Sequence, residues 1–190
     1  MDQRRTGEYR PVPAGHRAFF PAPLPPEPPI RMDRVLVRLL SEAERALAGL
    51  DSATDLLPDP DRFIYSYVRR EAVLSSQIEG TQSSLDDLVR KEAGIRDPNV
   101  PTDVNEVSNY VRALNNALAA LATLPVSARL VRDAHRDLMR GVRGGDRRPG
   151  EFRDHQVHIG ASGGVVTDAI FVPPPPDAVG SAMAELERYI

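Results

Sequence analysis

Apolar residues return every three or four positions through most of this chain, and that spacing leaves little but a helical bundle open to it. Met32, Leu36, Leu39, Ala43, Leu47 and Leu50 trace one face of a first helix. Asp59 followed by Pro60 supplies an N-cap and a favoured first position for a second, which carries Phe63, Ile64, Tyr67, Val68 and Leu74 and stops near Gly80. Ser83, with Asp86 three residues on, opens a short third helix holding Leu85, Leu88 and Val89; Gly94, Pro98 and Pro101 then break the chain. Asp103 and Glu106 resemble a capping box for a long fourth helix through Val104, Val107, Val111, Leu114, Leu118 and Leu121 to near Thr123. Ser127 caps a fifth, with Leu130, Val131, Ala134, Leu138 and Met139 inward and Gly141 at its end. Asp177 caps a sixth, with Val179, Met183, Leu186 and Ile190 on one side. Gln156–Ile159 and Ala169–Val172 flank a Gly/Ser-rich turn, Gly160–Gly164, and read as a short β-hairpin that Pro173–Pro176 ends. The expectation is a mainly α fold of about six helices with one β-hairpin.

Eight of the 18 prolines lie between Pro11 and Pro29. Each fixes its φ and removes a backbone donor, so residues 1–30 should form an extended arm that cannot join a helix or a sheet interior, with Phe19 and Phe20 its only bulky anchors. Residues 31–190 should form the folded body. The last apolar pattern runs to the final residue with no Gly or Pro stop signal, so the chain reads as cut inside a helix. With no cysteine there is no disulfide, thiolate nucleophile, iron–sulfur cluster or Cys-based zinc site. No Trp is present and aromatics are 5%, so Leu, Val and Ala must build the core. No run approaches the roughly 18 apolar residues of a membrane span, and the N-terminus has no apolar signal core, which reads as a cytoplasmic protein. Basic residues are 23 Arg and Lys91 alone, the codon bias of a GC-rich bacterial genome.

The segment Ser75-Ser76-Gln77-Ile78-Glu79-Gly80 places a hydroxyl and a carboxylate four apart on one helix face, just before a terminal glycine. The last turn carries the negative end of the helix dipole, so Glu79 costs a few tenths of a kcal/mol to about 1 unless a cation faces it. By itself this short pattern is common by chance, and a solvated Glu before a glycine cap is its plain alternative. Arg129, Arg132, Arg136, Arg140 and Arg143 recur at helical spacing, but Asp133 and Asp137 interrupt them and can pair with Arg136 and Arg140. A mixed-charge surface therefore explains them better than a nucleic-acid face, as the net charge of −3 also suggests. His155 and His158 would point to opposite faces of a strand and have no third ligand, so no metal site is expected. His135 reads as a structural hydrogen-bonding residue.

Ser75-x-x-x-Glu79-Gly80-Thr81, Asp103–Leu114 (DVNEVSNYVRAL), His135-Arg136-x-Leu138-Met139, Pro149-Gly150-Glu151-Phe152-Arg153, Val157-His158-Ile159-Gly160 and Phe171-Val172 before four prolines stand in this order. Together they resemble the N-terminal part of Fic-domain proteins that carry their own inhibitory helix, over about Ile30 to Ile190. The resemblance implies a Fic-like helical bundle, an inhibitory helix near residues 60–80 and a flap hairpin near 155–173. It also implies transfer of AMP from ATP, with Mg²⁺, to a hydroxyl side chain of a target protein. The family's chemistry resides in a His-Pro-Phe-x-x-Gly-Asn-Gly-Arg loop and helix start, where backbone donors and a cation hold phosphate. The present sequence contains no His-Pro and no Gly-Asn pair, so no catalytic residue is expected in it and ATP and Mg²⁺ would be bound mainly by residues outside it.

Within that resemblance Glu79 matches the inhibitory glutamate, which pairs with the motif's last arginine and displaces the ATP γ-phosphate; Ser75 and Gly80 match its supporting neighbours. Val157, His158, Ile159 and Gly160, with Ile170, Phe171 and Val172, match a flap that holds a target segment by β-augmentation. The implied partner is a target protein carrying a hydroxyl, with a homodimer open and neither membrane nor nucleic acid expected. Two alternatives stay open: a stand-alone antitoxin-like protein that inserts its Glu79 helix into a separate Fic enzyme, and an inactive gene fragment.

Overall fold

The computed structural model describes residues 6–95, 101–160 and 163–190. Among them it is mainly α: six helices and one two-stranded antiparallel β-hairpin. The expected break at Pro98 and the middle of the turn at 161–162 lie outside the described residues. No helix among the described residues is long and apolar enough to cross a membrane. The chain forms two compact units, one of Met32–Pro125 and Leu130–Gly150, the other of the N-terminal arm, Val126–Arg129 and Glu151–Ile190.

In the first unit, α1 (Arg34–Thr54) starts at the Asp33 cap, whose side chain accepts from the Leu36 N–H at 2.9 Å. Helix α2 (Pro60–Ile78) starts at Asp59 as expected, with the Arg62 N–H donating to its carboxylate at 2.9 Å. The cap of α3 (Leu85–Glu92) falls one residue later than expected: Ser84 and Asp87, not Ser83 and Asp86, form a reciprocal capping box. The reason lies in the Ser83 hydroxyl, which donates to Asp103 and is fully buried. Asp103 in turn does not cap α4 (Val104–Ala120); its backbone is already helical, and its carboxylate takes the Gln82 N–H at 2.6 Å besides Ser83.

Ala72 and Val73 of α2, Leu88 of α3, and Val104, Val107 and Val111 of α4 form the core, with Val68 and Tyr110 against it. Helix α5 (Ala128–Leu138) adds Leu130, whereas Val131, expected inward, is 53% exposed. Asn109, buried on α4, ties the two helices: its amide donates to the Leu138 and Arg140 carbonyls at 2.9 and 2.8 Å, closing the end of α5. Asp133–Arg136 and Asp137–Arg140 pair at 2.6 and 2.7 Å, as the charge pattern predicts. None of the residues of α1 is buried, and its apolar face stays open, with Leu39 at 49% and Leu47 at 66%.

The second unit corrects two expectations. The proline-rich arm is a hairpin: β1 (Gly7–Pro11) runs antiparallel to β2 (Arg17–Pro21), with Tyr9 opposite Phe19. Val12 N–H to His16 O (2.9 Å) and Ala22 N–H to Thr6 O (3.0 Å) bracket the ladder. Because bonded and non-bonded pairs alternate, Pro11 and Pro21 fall at non-bonded positions, where a missing donor costs nothing. The segment expected to form a flap hairpin, by contrast, is not a formed hairpin but has a single bridge between Ile159 and Phe171, with a 3-10 turn at Val166–Asp168. The ladder cannot continue outward because Val157 would face Pro173, which has no N–H; the Gln156 side chain takes the Pro173 carbonyl instead, at 3.0 Å. Helix α6 (Pro176–Tyr189) starts at Pro175, one residue before Pro176, and Asp177 sits inside its first turn rather than capping it.

Candidate functional site

Three sets of contacts fix where α2 ends. Arg69, 7% exposed, forks onto Glu92 of α3 with Nε at 2.7 Å and Nη2 at 3.0 Å. Tyr65 donates to the same carboxylate at 3.0 Å, with the Arg69 guanidinium over its ring. Burial, and then the bond to Glu92, raise the Tyr65 pKa above its ordinary value. Asp103 pins the loop after α2 through Gln82 and Ser83, and Gln77 reaches the Ser83 carbonyl at 3.3 Å. At the terminus itself the Gly80 N–H donates to Gln77 O (3.0 Å) and the Thr81 N–H to Ser76 O (3.2 Å), a Schellman closure with Gly80 at φ +95°.

That closure leaves Glu79 as the C-cap residue. Its side chain lines a groove of about 500 Å³ with Ser75, Ser76, Ile78, Glu106 and Tyr110 from α2 and α4, and Leu138, Met139, Val142 and Arg143 around the end of α5. A more polar hollow of about 450 Å³ adjoins it, sharing Glu79, Thr81, Glu106, Val142 and Arg143 and adding Gly80, Asp103 and Asn105. Ser75 and Glu79 therefore share one groove, as their spacing predicts, although the Ser75 hydroxyl donates back to Glu71 at 2.6 Å rather than to Glu79. The Glu79 and Glu106 carboxylates and the Arg143 guanidinium make no side-chain bond to any described residue. Two free carboxylates and the negative end of the α2 dipole against one guanidinium make this a place for a cation. Sequence reasoning missed Glu106, which it read only as a cap partner, and Arg143, which it read as part of a surface stripe.

His135 accepts the Gly150 N–H on Nδ1 at 2.9 Å, the structural role expected of it. His155 lies 3.0 Å from Asp154, and His158 Nε2 lies 3.1 Å from the Gly164 carbonyl, which requires the proton on that nitrogen. In the flap segment Val157, Ile159 and Ile170 are exposed, at 39%, 62% and 82%, and Gly160 is exposed too. Phe171 and Val172 are not free: Phe19 of β2 donates its N–H to the Val172 carbonyl at 2.8 Å, and Phe19 and Tyr9 pack on the Phe171 ring with centroids 5.8 and 6.4 Å away.

Residues 37–119 match the family model described as Fic/DOC family N-terminal. No curated protein matches the sequence. The matched span holds Ser75, Glu79, Gly80, Glu106 and Tyr110, and it ends before Arg143 and the flap segment.

Proposed function

The chain carries a Fic/DOC family N-terminal region over residues 37–119, and on that premise we propose that it is the regulatory and target-docking portion of a Fic-type protein adenylyltransferase, restrained by Glu79. One observation carries the reading. Glu79 is held at a closed helix end, faces a groove, and has a carboxylate that no described residue neutralises. A carboxylate in that setting is matched by an incoming guanidinium, and the charge-assisted, bidentate pair so formed competes with phosphate for the same fork.

The groove does not itself build a triphosphate site. Glu79, Glu106 and Asp103 outweigh Arg143, and the helix end beside them is the one that repels anions. ATP and Mg²⁺ belong, in this reading, to residues other than these, and the role of Glu79 is to restrain rather than to bind. The Val157–Gly160 edge, exposed at Val157, Ile159 and Gly160, is the docking side for an extended target segment that brings the hydroxyl.

The test is Glu79→Gly in the complete cellular protein, assayed by incorporation of labelled AMP. Loss of one charge-assisted pair should raise labelling at least about tenfold. Unchanged labelling, with the far-ultraviolet circular dichroism also unchanged, would remove the inhibitory role.

A further inference from the structure

We propose that the N-terminal hairpin is a standing strand occupant of the flap segment, an intramolecular competitor that closes the Val172 edge to any added peptide. The consequence for target docking rests on the flap reading above; the occupancy itself does not.

Phe19 pairs with Tyr9 at a non-bonded position of the hairpin, so its N–H points away from β1 and meets the Val172 carbonyl at 2.8 Å. An extended peptide adding to that edge needs the same acceptor. The next residues, Pro173 and Pro174, have no N–H to offer, so Val172 is the last residue there with both a donor and an acceptor. The side chains seal the junction: Tyr9, Phe19 and Phe171 form a three-ring cluster with centroids 5.5 to 6.4 Å apart, Ala18 is fully buried, and Val172 is 5% exposed.

The far edge of the hairpin is blunted against passing the pairing on. Pro11 lacks a donor, the Tyr9 carbonyl is taken by the Arg17 guanidinium at 2.7 Å, and a Glu8–Arg10 ion pair lies on the surface. A strand that takes the Val172 carbonyl with one backbone hydrogen bond and offers no good edge of its own behaves as a stopper. The flap is then left with its Val157–Gly160 side for docking, and release of the arm would open a second side.

The experiment uses the full chain and a fluorescein-labelled synthetic peptide of residues 6–22 as the probe. Tyr9→Ala/Phe19→Ala should loosen the built-in arm, and the probe should bind this variant at least about tenfold more tightly than the wild type, whose edge is filled. Equal binding, or no binding to the variant while its helical circular dichroism is intact, would overturn the proposal. Hydrogen exchange gives a second reading without any variant: the bonded Phe19 amide should exchange at least about tenfold more slowly than the outward Tyr9 amide, and equal rates would overturn it as well. The probe contains neither target nor nucleotide, so its failure leaves the docking reading standing, and failure of docking leaves the occupancy standing.

Discussion

Glu79 is placed less by its own contacts than by the glycine after it. Gly80 sits at φ +95°, yet a Cβ added there would meet nothing within 4 Å, so the demand for glycine is purely conformational. Gly80→Ala should therefore cost roughly 1–2 kcal/mol in urea unfolding, whereas Gly80→Asn, which tolerates the left-handed region, should recover about half or more of that loss. Equal losses for the two variants would contradict the argument. Gly150 makes the opposite case. At φ +82° its added Cβ would lie 2.8 Å from the Arg132 carbonyl and 2.9 Å from the Arg136 guanidinium, so neither Ala nor Asn should be accepted there. The groove charges follow the same residue-level logic: the Ser75 and Glu79 spacing was readable along one helix, but the approach of Glu106 and Arg143 from two other elements left no local trace.

The helices differ in what holds them. Helix α3 is only eight residues long and relies on its ends: Ser84 and Asp87 exchange bonds at the start, and Glu92 is gripped by Arg69 at the finish. Bonds from the Ser84 hydroxyl and then its backbone lower the Asp87 pKa below the ordinary 3.8. A carboxylate with a depressed folded pKa contributes stability that is fully present above the unfolded value and is lost as pH falls through the folded one. The stability difference between wild type and Ser84→Ala should accordingly be largest above about pH 4 and shrink below it; a difference independent of pH would show that the box contributes nothing electrostatic. Core placement separates α3 from α1 as well. Leu88→Ala should cost about 2–4 kcal/mol, because a fully buried leucine leaves a cavity, while Leu39→Ala on the open face of α1 should cost less than about 1 kcal/mol. Comparable losses in chemical denaturation would mean that the α1 face is covered in solution.

Over the whole molecule, only ten apolar residues are buried among the described ones, and three of those are alanines. Unfolding such a chain exposes little new apolar surface, so calorimetry should give a heat-capacity change clearly below the usual ~12–15 cal/mol/K per residue; an ordinary value would refute so small a core. The same burial pattern marks the boundary between what could and could not be read along the chain. Helix existence, the Asp59–Pro60 start, the Gly80 stop and the Ser75–Glu79 face were all legible, because each rests on interactions within one or two turns of helix. The sequence also predicted the two Asp–Arg pairs of α5 for that reason. Non-local partners were not legible: Asp103 leaves its own helix for Ser83 because the loop after α2 lies within its reach, and that single contact moves the α3 cap by one residue. The β-structure shows the same division. By itself the sequence determined that residues 7–11 and 17–21 are extended and that prolines end the 156–172 segment. Only tertiary structure decided that the arm would pair with itself and lay Phe19 on Val172, because backbone donors and acceptors carry no side-chain code and find their partners only when folding brings distant segments together.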